Sequence, residues 1–211
     1  MTELLNRFDK SDFSKNFTWG AAALAFQTEG AWNADGKGPS IWDTYVRKKY
    51  PSYRGNATEF YGKYETDLQL LKKMHFSAFR FSTSWSRILP EGFGKINQKG
   101  IDFYNRLIDT CLNMQITPWI TLYHWDLPQK LEDKGGWTNR EIVGWFEEYA
   151  QVCSKHFGDR IYNWIVLNEP LAITALGYLL GKHAPCRKGL KNFLPTLHHA
   201  ALCQSAGARI I

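Results

Sequence analysis

The sequence lacks the features of secreted, membrane or nucleic-acid-binding proteins. No apolar run reaches about eighteen residues and residues 1–10 are mixed polar and charged, so neither a membrane span nor a secretion signal is expected. The four cysteines have no CxxC spacing, which favours reduced packing residues in a reducing compartment. Basic residues are scattered, so no nucleic-acid-binding stripe is indicated. A cytoplasmic protein is the expectation.

Motifs that would bind a metal or a cofactor are also missing. The sequence contains no HExxH, P-loop or dinucleotide-binding fingerprint. His198 and His199 are adjacent, which points them to different faces of a helix, and we expect both to be exposed rather than to form a metal pair. The sequence therefore predicts no metal and no cofactor.

Aromatic residues are abundant. They make up 15% of the 211 residues, with nine Trp, ten Tyr and thirteen Phe, in a chain that is otherwise ordinary for a globular protein at 44% hydrophobic and 22% charged. Rings that keep one edge in water suit stacking against ring-shaped ligands such as sugars or bases. The aromatic content is therefore compatible with a ring-shaped ligand.

Apolar runs predict four strands, and a helical pattern follows each of them. The predicted strands span residues 17–24, 78–82, 116–123 and 161–168. The predicted helices span residues 57–75, 98–114, 138–158 and 190–211. Asn56 is the predicted N-cap of the first helix, and Thr138 to Glu141 match a capping box at the third. Residues 32–55 are expected to form an irregular loop, because glycine and proline interrupt them.

Strands that are apolar on both faces indicate a parallel sheet covered by helices. Such alternation is typical of a (β/α)8 barrel, which needs eight units and about 250 residues. The four units here predict an α/β fold, the first half of a TIM (β/α)8 barrel. We expect residues 1–211 to form one domain without an internal boundary.

Each predicted strand runs into polar or aromatic residues, and in a parallel barrel these would meet at one mouth. The four clusters are Gln27 with Glu29, Arg80 with Trp85, His124 with Trp125, and Asn168 with Glu169. Amide, imidazole and indole groups suit a polyol ligand. Arg80 lies inside a strand and should face a carboxylate, because an unpaired buried guanidinium is costly. On position alone, Glu169 could equally cap the following helix.

Four motifs carry a resemblance to a known family. They are Phe17-x-Trp19-Gly20-Ala21 with Phe26-Gln27-Thr28-Glu29-Gly30-Ala31, then Arg80-Phe81-Ser82-x-x-Trp85-Ser86-Arg87, then Thr121-Leu122-Tyr123-His124-Trp125-Asp126-Leu127-Pro128, then Leu167-Asn168-Glu169-Pro170. In this order they resemble glycoside hydrolase family 1, the β-glucosidase family. The resemblance covers the chain from about Phe13 onward.

The resemblance implies a role for each site residue. Glu169 matches the general acid/base, and Arg80 matches the arginine facing the catalytic carboxylates. The remaining matches bind the substrate sugar: Asn168 at the 2-hydroxyl, Gln27 and His124 at the 3- and 4-hydroxyls, and Trp125 beside them. The substrate implied is a β-glucoside or small oligosaccharide, with tolerance for β-galactosides or β-fucosides.

A retaining glycosidase needs two carboxyl groups about 5 to 5.5 Å apart. The family's nucleophile lies in a Thr-Glu-Asn-Gly type motif, which residues 1–211 do not contain. Glu29 and Asp126 match structural positions rather than the nucleophile. We therefore expect the chain alone to be inactive and to need a C-terminal half-barrel, covalent or separate. The alternatives left open are a catalytically silent half-barrel that binds sugar, and self-assembly with a second copy.

Two positions depart from the family pattern. Leu171 stands where many members have Trp at the mouth of the leaving-group site, which leaves the leaving-group preference open. Cys186 stands where the family usually has Gly, so a turn with positive φ is expected there with a side chain that strains it.

Overall fold

A four-stranded parallel sheet forms the centre of the chain in the computed structural model, which describes residues 10–211. Its strands, in spatial as in chain order, are β1 (Gly20–Ala23), β2 (Ala78–Ser82), β3 (Thr117–Tyr123) and β4 (Asn163–Leu167). Parallel neighbours require crossover connections, which helices provide. The sheet is consistent with part of a (β/α) barrel, and all four strands lie within the predicted ranges.

Eight helices connect or follow the strands within the described residues. They are α1 (Ile41–Lys49), α2 (Phe60–Lys73), α3 (Trp85–Ile88), α4 (Gln98–Asn113), α5 (Gln129–Asp133), α6 (Ile142–Phe157), α7 (Pro170–Thr174) and α8 (Leu190–Ile210). Short 3-10 turns cover Lys10–Asp12 and Gly136–Thr138, and π turns cover Ala25–Glu29 and Ala175–Leu179. None of the helices formed by residues 10–211 is long and apolar enough to cross a membrane.

The core lies between the sheet and the long helices and is rich in aromatic rings. Helix α4 buries one apolar stripe because its apolar residues recur every three or four positions. The rings of Trp85 and Tyr149 stack at 4.8 Å between centroids, and the Tyr149 hydroxyl donates to the Leu122 carbonyl at 2.9 Å. Burial of such a side chain stabilises the fold by roughly 1.5–3 kcal/mol. Much of the aromatic content therefore serves packing.

Helix α8 packs against β4 and α6. A Cβ atom at Gly207 would lie 2.5 Å from Val166 Cγ1 and 3.0 Å from Phe146 Cε1, so glycine permits this close approach. Cys111, Cys153 and Cys203 are buried free thiols in helices, as expected from the sequence, whereas Cys186 is exposed. The φ of Cys186 is 69°, which confirms the expected positive φ at a non-glycine residue.

The segment 32–55 is not the irregular loop that we predicted, because it contains helix α1. Ser40 begins this helix with a capping box. Its hydroxyl accepts from the Asp43 N–H at 3.2 Å, and the Asp43 carboxylate accepts from the Ser40 N–H at 2.8 Å. The glycine and proline residues before Ser40 indicated a loop, although the capping box marks the start of a nine-residue helix.

The predicted starts of two other helices are wrong. Helix α2 begins at Phe60 after Glu59, whose φ is 60°, so Asn56 is not its N-cap. Thr138 lies in a 3-10 turn and helix α6 begins at Ile142, so the predicted capping box does not form. Asn139 Oδ1 instead accepts from the Glu141 N–H at 3.0 Å. Before both α2 and α6, a turn lies between the polar residue that predicted the helix start and the first residue of the helix.

The expectation of two exposed histidines in α8 holds for His198 only. His199 is buried, with Nδ1 2.9 Å from the carbonyl oxygen of Trp137. This contact ties α8 to the turn before α6, which explains why a histidine lies on the inner face of α8.

Strands β1 and β4 form the two edges of the sheet and have no further strand partner within residues 10–211. The residues of β1 alternate between exposed and half-buried, and Asn163, Trp164 and Ile165 of β4 are half-buried. The inner strand β2 is buried at four of its five positions. Both edges thus leave backbone groups and side chains open to a further partner.

Candidate active site

The site is organised around Arg80, which points from β2 across the sheet. Its Nε donates to Thr121 Oγ1 at 2.9 Å, and its Nη2 donates to Asn168 Oδ1 at 2.6 Å. Burial lowers the pKa of Arg80, while the charge of Glu169 raises it. We expected a carboxylate as the direct partner, but within residues 10–211 no carboxylate forms an ion pair with Arg80. Two neutral oxygens hold the guanidinium, and Glu169 acts on it at longer range.

At the end of β4, both the backbone N–H and the backbone carbonyl of Asn168 form hydrogen bonds. Its N–H donates to the Tyr123 carbonyl at 3.0 Å, and its carbonyl accepts from Trp125 Nε1 at 3.0 Å. Together with the Arg80 bond, these contacts join the carboxyl ends of β2, β3 and β4. The amide group of Asn168 is therefore held in one orientation, with its Nδ2 left to bind a ligand.

Glu169 and Trp125 both have left-handed backbone conformations. The φ of Glu169 is 47° and that of Trp125 is 78°. A non-glycine residue in this region costs about 1–2 kcal/mol, and such strain is often retained at functional sites. Glu169 precedes α7, but its side chain makes no capping hydrogen bond and is exposed. The capping role is thus not supported, and the carboxylate is available for another purpose.

His124 lies half-buried beside Trp125, with 5.2 Å between the ring centroids. Burial lowers the pKa of His124; the nearby charge of Arg80 acts in the same direction and that of Glu169 in the opposite one. The imidazole is therefore neutral at physiological pH, with one nitrogen that donates and one that accepts. This pair suits a sugar hydroxyl, which both donates and accepts.

Gln27 follows β1 in the π turn Ala25–Glu29 and is exposed. The Ala25 N–H donates to Ser82 Oγ at 2.8 Å, which anchors the start of this turn to the end of β2. Within residues 10–211, the Gln27 side chain makes no hydrogen bond to the other five predicted site residues. The structure thus brings together Arg80, His124, Trp125, Asn168 and Glu169, and places Gln27 at the same end of the sheet without direct contact.

Three residues at the site were not predicted from the sequence. Thr121 holds Arg80, and it offered no signal because threonine is common in strands. The rings of His183 and Trp125 lie 5.5 Å apart, and the Trp42 ring lies 5.4 Å from that of His183. His183 comes from the connection after α7 and Trp42 from α1, so only the folded chain brings them together.

A buried ion pair joins Arg87 to Glu29, the last residue of the π turn that contains Gln27. Arg87 Nε donates to Glu29 Oε2 at 2.9 Å, and the Tyr104 hydroxyl donates to Glu29 Oε1 at 2.6 Å. Burial raises the pKa of the Tyr104 hydroxyl well above its usual range, so this group remains a donor. Both oxygens of Glu29 are engaged, which fits a structural carboxylate and not a nucleophile.

Asp126 is a second buried carboxyl group, only 2% exposed. Neither of its oxygens has a hydrogen-bond partner within residues 10–211. Burial raises its pKa to about 8, with the charge of Lys37 acting in the opposite direction. A group that holds its proton at neutral pH is not an ionised nucleophile. Residues 10–211 also contain no group of three or more His, Cys, Asp or Glu side chains arranged to bind a metal.

Comparison with known proteins assigns the chain to a family. The profile of glycosyl hydrolase family 1 matches residues 9–210. A 1,4-beta-D-glucan glucohydrolase of Thermotoga neapolitana is 45% identical over 202 residues, which cover 94% of this chain and 48% of that protein. Beta-glucosidase A of Acetivibrio thermocellus is 46% identical over 205 residues, which cover 95% of this chain and 46% of that protein.

A solved structure gives the same result. The β-glucosidase from Thermotoga maritima in complex with castanospermine superposes with a TM-score of 0.89 at 44% identity, covering 94% of this chain and 46% of that one. The chain thus spans about half the length of the relatives that it matches. The resemblance seen in the sequence motifs is confirmed over nearly every residue. The chain belongs to glycosyl hydrolase family 1.

Proposed function

We propose that this chain forms the first half of a (β/α)8 barrel that hydrolyses terminal β-D-glucosyl residues with retention of configuration. The observation that carries the proposal is the Arg80 to Asn168 to Trp125 network, which fixes an amide and leaves the adjacent Glu169 carboxylate uncommitted. Family membership and the names of the relatives support a β-glucosidase.

Glu169 is the general acid/base in this proposal. In the first step a carboxylate from the C-terminal half attacks the anomeric carbon, the bond to the leaving oxygen breaks, and Glu169 gives that oxygen its proton. In the second step Glu169 takes a proton from water, whose oxygen displaces the enzyme carboxylate from the sugar. The product keeps the original anomeric configuration because two inversions occur.

The other five residues bind the sugar or position a residue that binds it. Asn168 binds the 2-hydroxyl, where a hydrogen bond strengthens as the sugar approaches an oxocarbenium ion. Gln27 and His124 bind the 3- and 4-hydroxyls, and Trp125 lies beside them. Arg80 holds Asn168 and adds positive charge close to the carboxylates.

The proposed reaction needs two carboxyl groups about 5 to 5.5 Å apart. Glu169 is one of them, and the nucleophile is proposed to lie in a C-terminal half-barrel. We therefore expect the chain alone to be inactive.

The open sheet edges favour a second candidate function. Strands β1 and β4 have no outer partner within residues 10–211, so two copies could pair edge to edge and bind sugar without hydrolysing it. Size-exclusion chromatography separates the candidates, since a stable monomer contradicts self-assembly.

The test is hydrolysis of 4-nitrophenyl β-glucoside by the chain alone and after mixing with a separately expressed C-terminal half from a family member. Activity only in the mixture, abolished by Glu169→Gln, supports the proposal. Activity of the chain alone that survives Glu169→Gln overturns the assignment of Glu169. A mixture that assembles but hydrolyses nothing favours the catalytically silent alternative.

A further inference from the structure

The connection between β4 and α8 contains a closed loop, residues 180–188, named here the β4 loop. Leu180 and Lys188 form an antiparallel bridge at its base. Within the loop, the Cys186 N–H donates to the His183 carbonyl at 2.7 Å. This hydrogen-bonded turn couples His183 to the residues that follow it, so a contact made by the second part of the loop restrains the first part.

Arg187 anchors the β4 loop to the segment that follows β3. Its Nε donates to Glu132 Oε1 at 2.6 Å, its Nη2 to the Glu132 carbonyl at 3.3 Å, and its Nη1 to Thr138 Oγ1 at 3.1 Å. A guanidinium has several donors in a fixed planar arrangement, so these bonds also fix its orientation. Among residues 180–188, Arg187 alone has a side chain that forms hydrogen bonds or an ion pair with the described part of the chain, residues 10–211.

Glu132 is itself held in one position. Its side chain is buried in α5, and the Tyr178 hydroxyl donates to its Oε2 at 2.8 Å, so both carboxylate oxygens are engaged. A Cβ atom at Gly136, whose φ is 52°, would overlap Glu132 Oε2, so glycine lets the backbone pack directly against the carboxylate. A buried carboxylate that loses its cation is strongly unfavourable. Glu132 therefore specifies where Arg187 must lie.

His183 carries the contact between the β4 loop and the proposed sugar site. Its ring lies 5.5 Å from the Trp125 ring and 5.4 Å from the Trp42 ring. The His183 side chain forms no hydrogen bond within residues 10–211, so ring packing and the loop backbone position it. Trp125 has a φ of 78° and donates from Nε1 to the Asn168 carbonyl at 3.0 Å. Such a strained backbone persists only where its surroundings hold it, and the His183 ring is part of those surroundings.

We infer that the pair of Arg187 and Glu132 positions His183 against Trp125 and thereby holds the Trp125 indole beside the Asn168 carbonyl. Arg187 is a positioning residue, because it acts on Trp125 through the β4 loop. The consequence for sugar binding rests on the proposed function, in which Trp125 lies beside the 3- and 4-hydroxyls of the sugar. The step from Arg187 to Trp125 does not depend on it.

The position of His183 can be measured by NMR in the 211-residue chain. Neighbouring indole rings shift the signal of the His183 Cε1–H group, and the signal that is lost in His183→Asn identifies it. The exposed His75 provides the reference position for a histidine in water. Arg187→Met should move the His183 signal most of the way to this reference, and the signal of the Trp125 indole N–H should shift with it.

Three further variants separate positioning from stability. Glu132→Gln keeps the shape of the side chain and removes its charge, so it should displace the His183 signal in the same direction. Arg187→Lys keeps the charge with a different donor geometry and should give a smaller displacement. Arg160→Met is the matched control, since the Arg160 side chain is 26% exposed, against 30% for Arg187, and pairs with two aspartates. It should lower the stability and leave the His183 signal in place.

Under the proposed function, displacement of Trp125 should weaken sugar binding. Arg187→Met should raise the KM for 4-nitrophenyl β-glucoside about two- to ten-fold in the complemented enzyme, as for the loss of about one hydrogen bond. The value of kcat should change little, because the hydroxyls that Trp125 adjoins do not react. Arg160→Met should leave KM unchanged.

A His183 signal that stays in place in Arg187→Met, or that moves equally in Arg160→Met, would overturn the inference, since the pair would then only stabilise the fold. If Arg187→Met does not fold, Glu132→Gln and Arg187→Lys make the same comparison. If the signal moves and KM does not, the consequence for sugar binding is wrong. If the mixture with the C-terminal half hydrolyses nothing but the signal still depends on Arg187, the hydrolase proposal fails and the positioning of His183 remains.

Discussion

Arg80 donates a 2.6 Å hydrogen bond to Oδ1 of Asn168, and this bond joins the second strand to the end of the fourth. Two strands separated in sequence by two helical connections thereby share one polar contact. The contact orients Asn168, the residue immediately before Glu169. A substitution of Arg80 on β2 should therefore alter the position of the proposed acid.

Replacing Arg80 tests this link. Arg80→Met should reduce kcat/KM of the complemented enzyme and lower the free energy of unfolding by about 1.5–3 kcal/mol, the usual range for a hydrogen bond to a charged group. Kinetics with 4-nitrophenyl β-glucoside and urea unfolding provide the two measurements. Arg54→Met, at an exposed position, is the matched control. Unchanged kcat/KM in Arg80→Met would contradict the positioning role.

Asp126 should make stability depend on pH. Its pKa is about 8 in the folded chain and about 3.9 in an unfolded one. Between these values the folded state holds a proton that the unfolded state has lost, so stability should decline as pH rises from about 4 to about 8 and then level off. Asp126→Asn should remove much of this decline, since an amide keeps the shape and does not ionise. Urea unfolding at several pH values measures the free energy of unfolding of both proteins.

The control for Asp126 is Asp67→Asn on α2, which makes the same substitution at another aspartate. A change in the profile as large as that of Asp126→Asn would show that the effect is not specific to Asp126. A profile of Asp126→Asn that runs parallel to that of the unmodified chain would show that Asp126 is ionised in the folded state.

The buried pair of Arg87 and Glu29 should contribute far more to stability than an exposed pair. Arg87 and Glu29 are 0% and 5% exposed at their side chains, so Arg87→Met leaves a buried carboxylate without its cation and should cost about 3–5 kcal/mol. Lys99→Gln breaks the exposed pair with Asp35 and should cost at most about 1 kcal/mol. Chemical unfolding compares the two. Similar losses would mean that water or another group compensates Glu29.

Replacing Cys186 by glycine should increase the stability of the fold. At a φ of 69° a side chain is strained, so Cys186→Gly should stabilise the fold by up to about 1 kcal/mol, after allowing for the greater freedom of glycine in the unfolded chain. Cys186→Ala keeps a Cβ atom and should be neutral, which separates strain from the loss of the thiol. Thermal unfolding under reducing conditions gives the comparison. A gain in Cys186→Ala equal to that in Cys186→Gly would argue against backbone strain.

The strands and the residues at their ends could be predicted because both depend on local sequence. Mostly apolar segments mark β2, β3 and β4, and the polar residues that follow them lie at one end of a parallel sheet. The family motifs add roles that periodicity alone does not give. The motifs single out Arg80, Asn168 and Glu169, and the structure bonds the first two to each other and places the charge of Glu169 close enough to act on Arg80.

Helix α1 has a local start signal in the capping box of Ser40 and Asp43, but it follows a region interrupted by glycine and proline and was not predicted. The remaining features depend on contacts between distant segments. The Trp42 contact with His183 spans much of the chain. Arg80 binds Thr121 and Asn168 directly, although its charge had indicated a carboxylate partner. The position of His199 against Trp137 likewise reflects packing between helices. None of these long-range contacts is encoded in a short window of sequence.

The strand order β1-β2-β3-β4 also has a consequence for biosynthesis. Each strand pairs with the one made just before it, so the sheet can grow from its first strand while the ribosome is still extending the chain. Strand β4 is the last of the four to emerge, and it carries Asn168 and Glu169 at its end. The last edge of the nascent sheet to form is therefore also the edge that carries the proposed acid. Glu169 would reach its position only after β1, β2 and β3 have emerged, since the contacts that hold Asn168 come from β2 and β3 and the residues that follow β3.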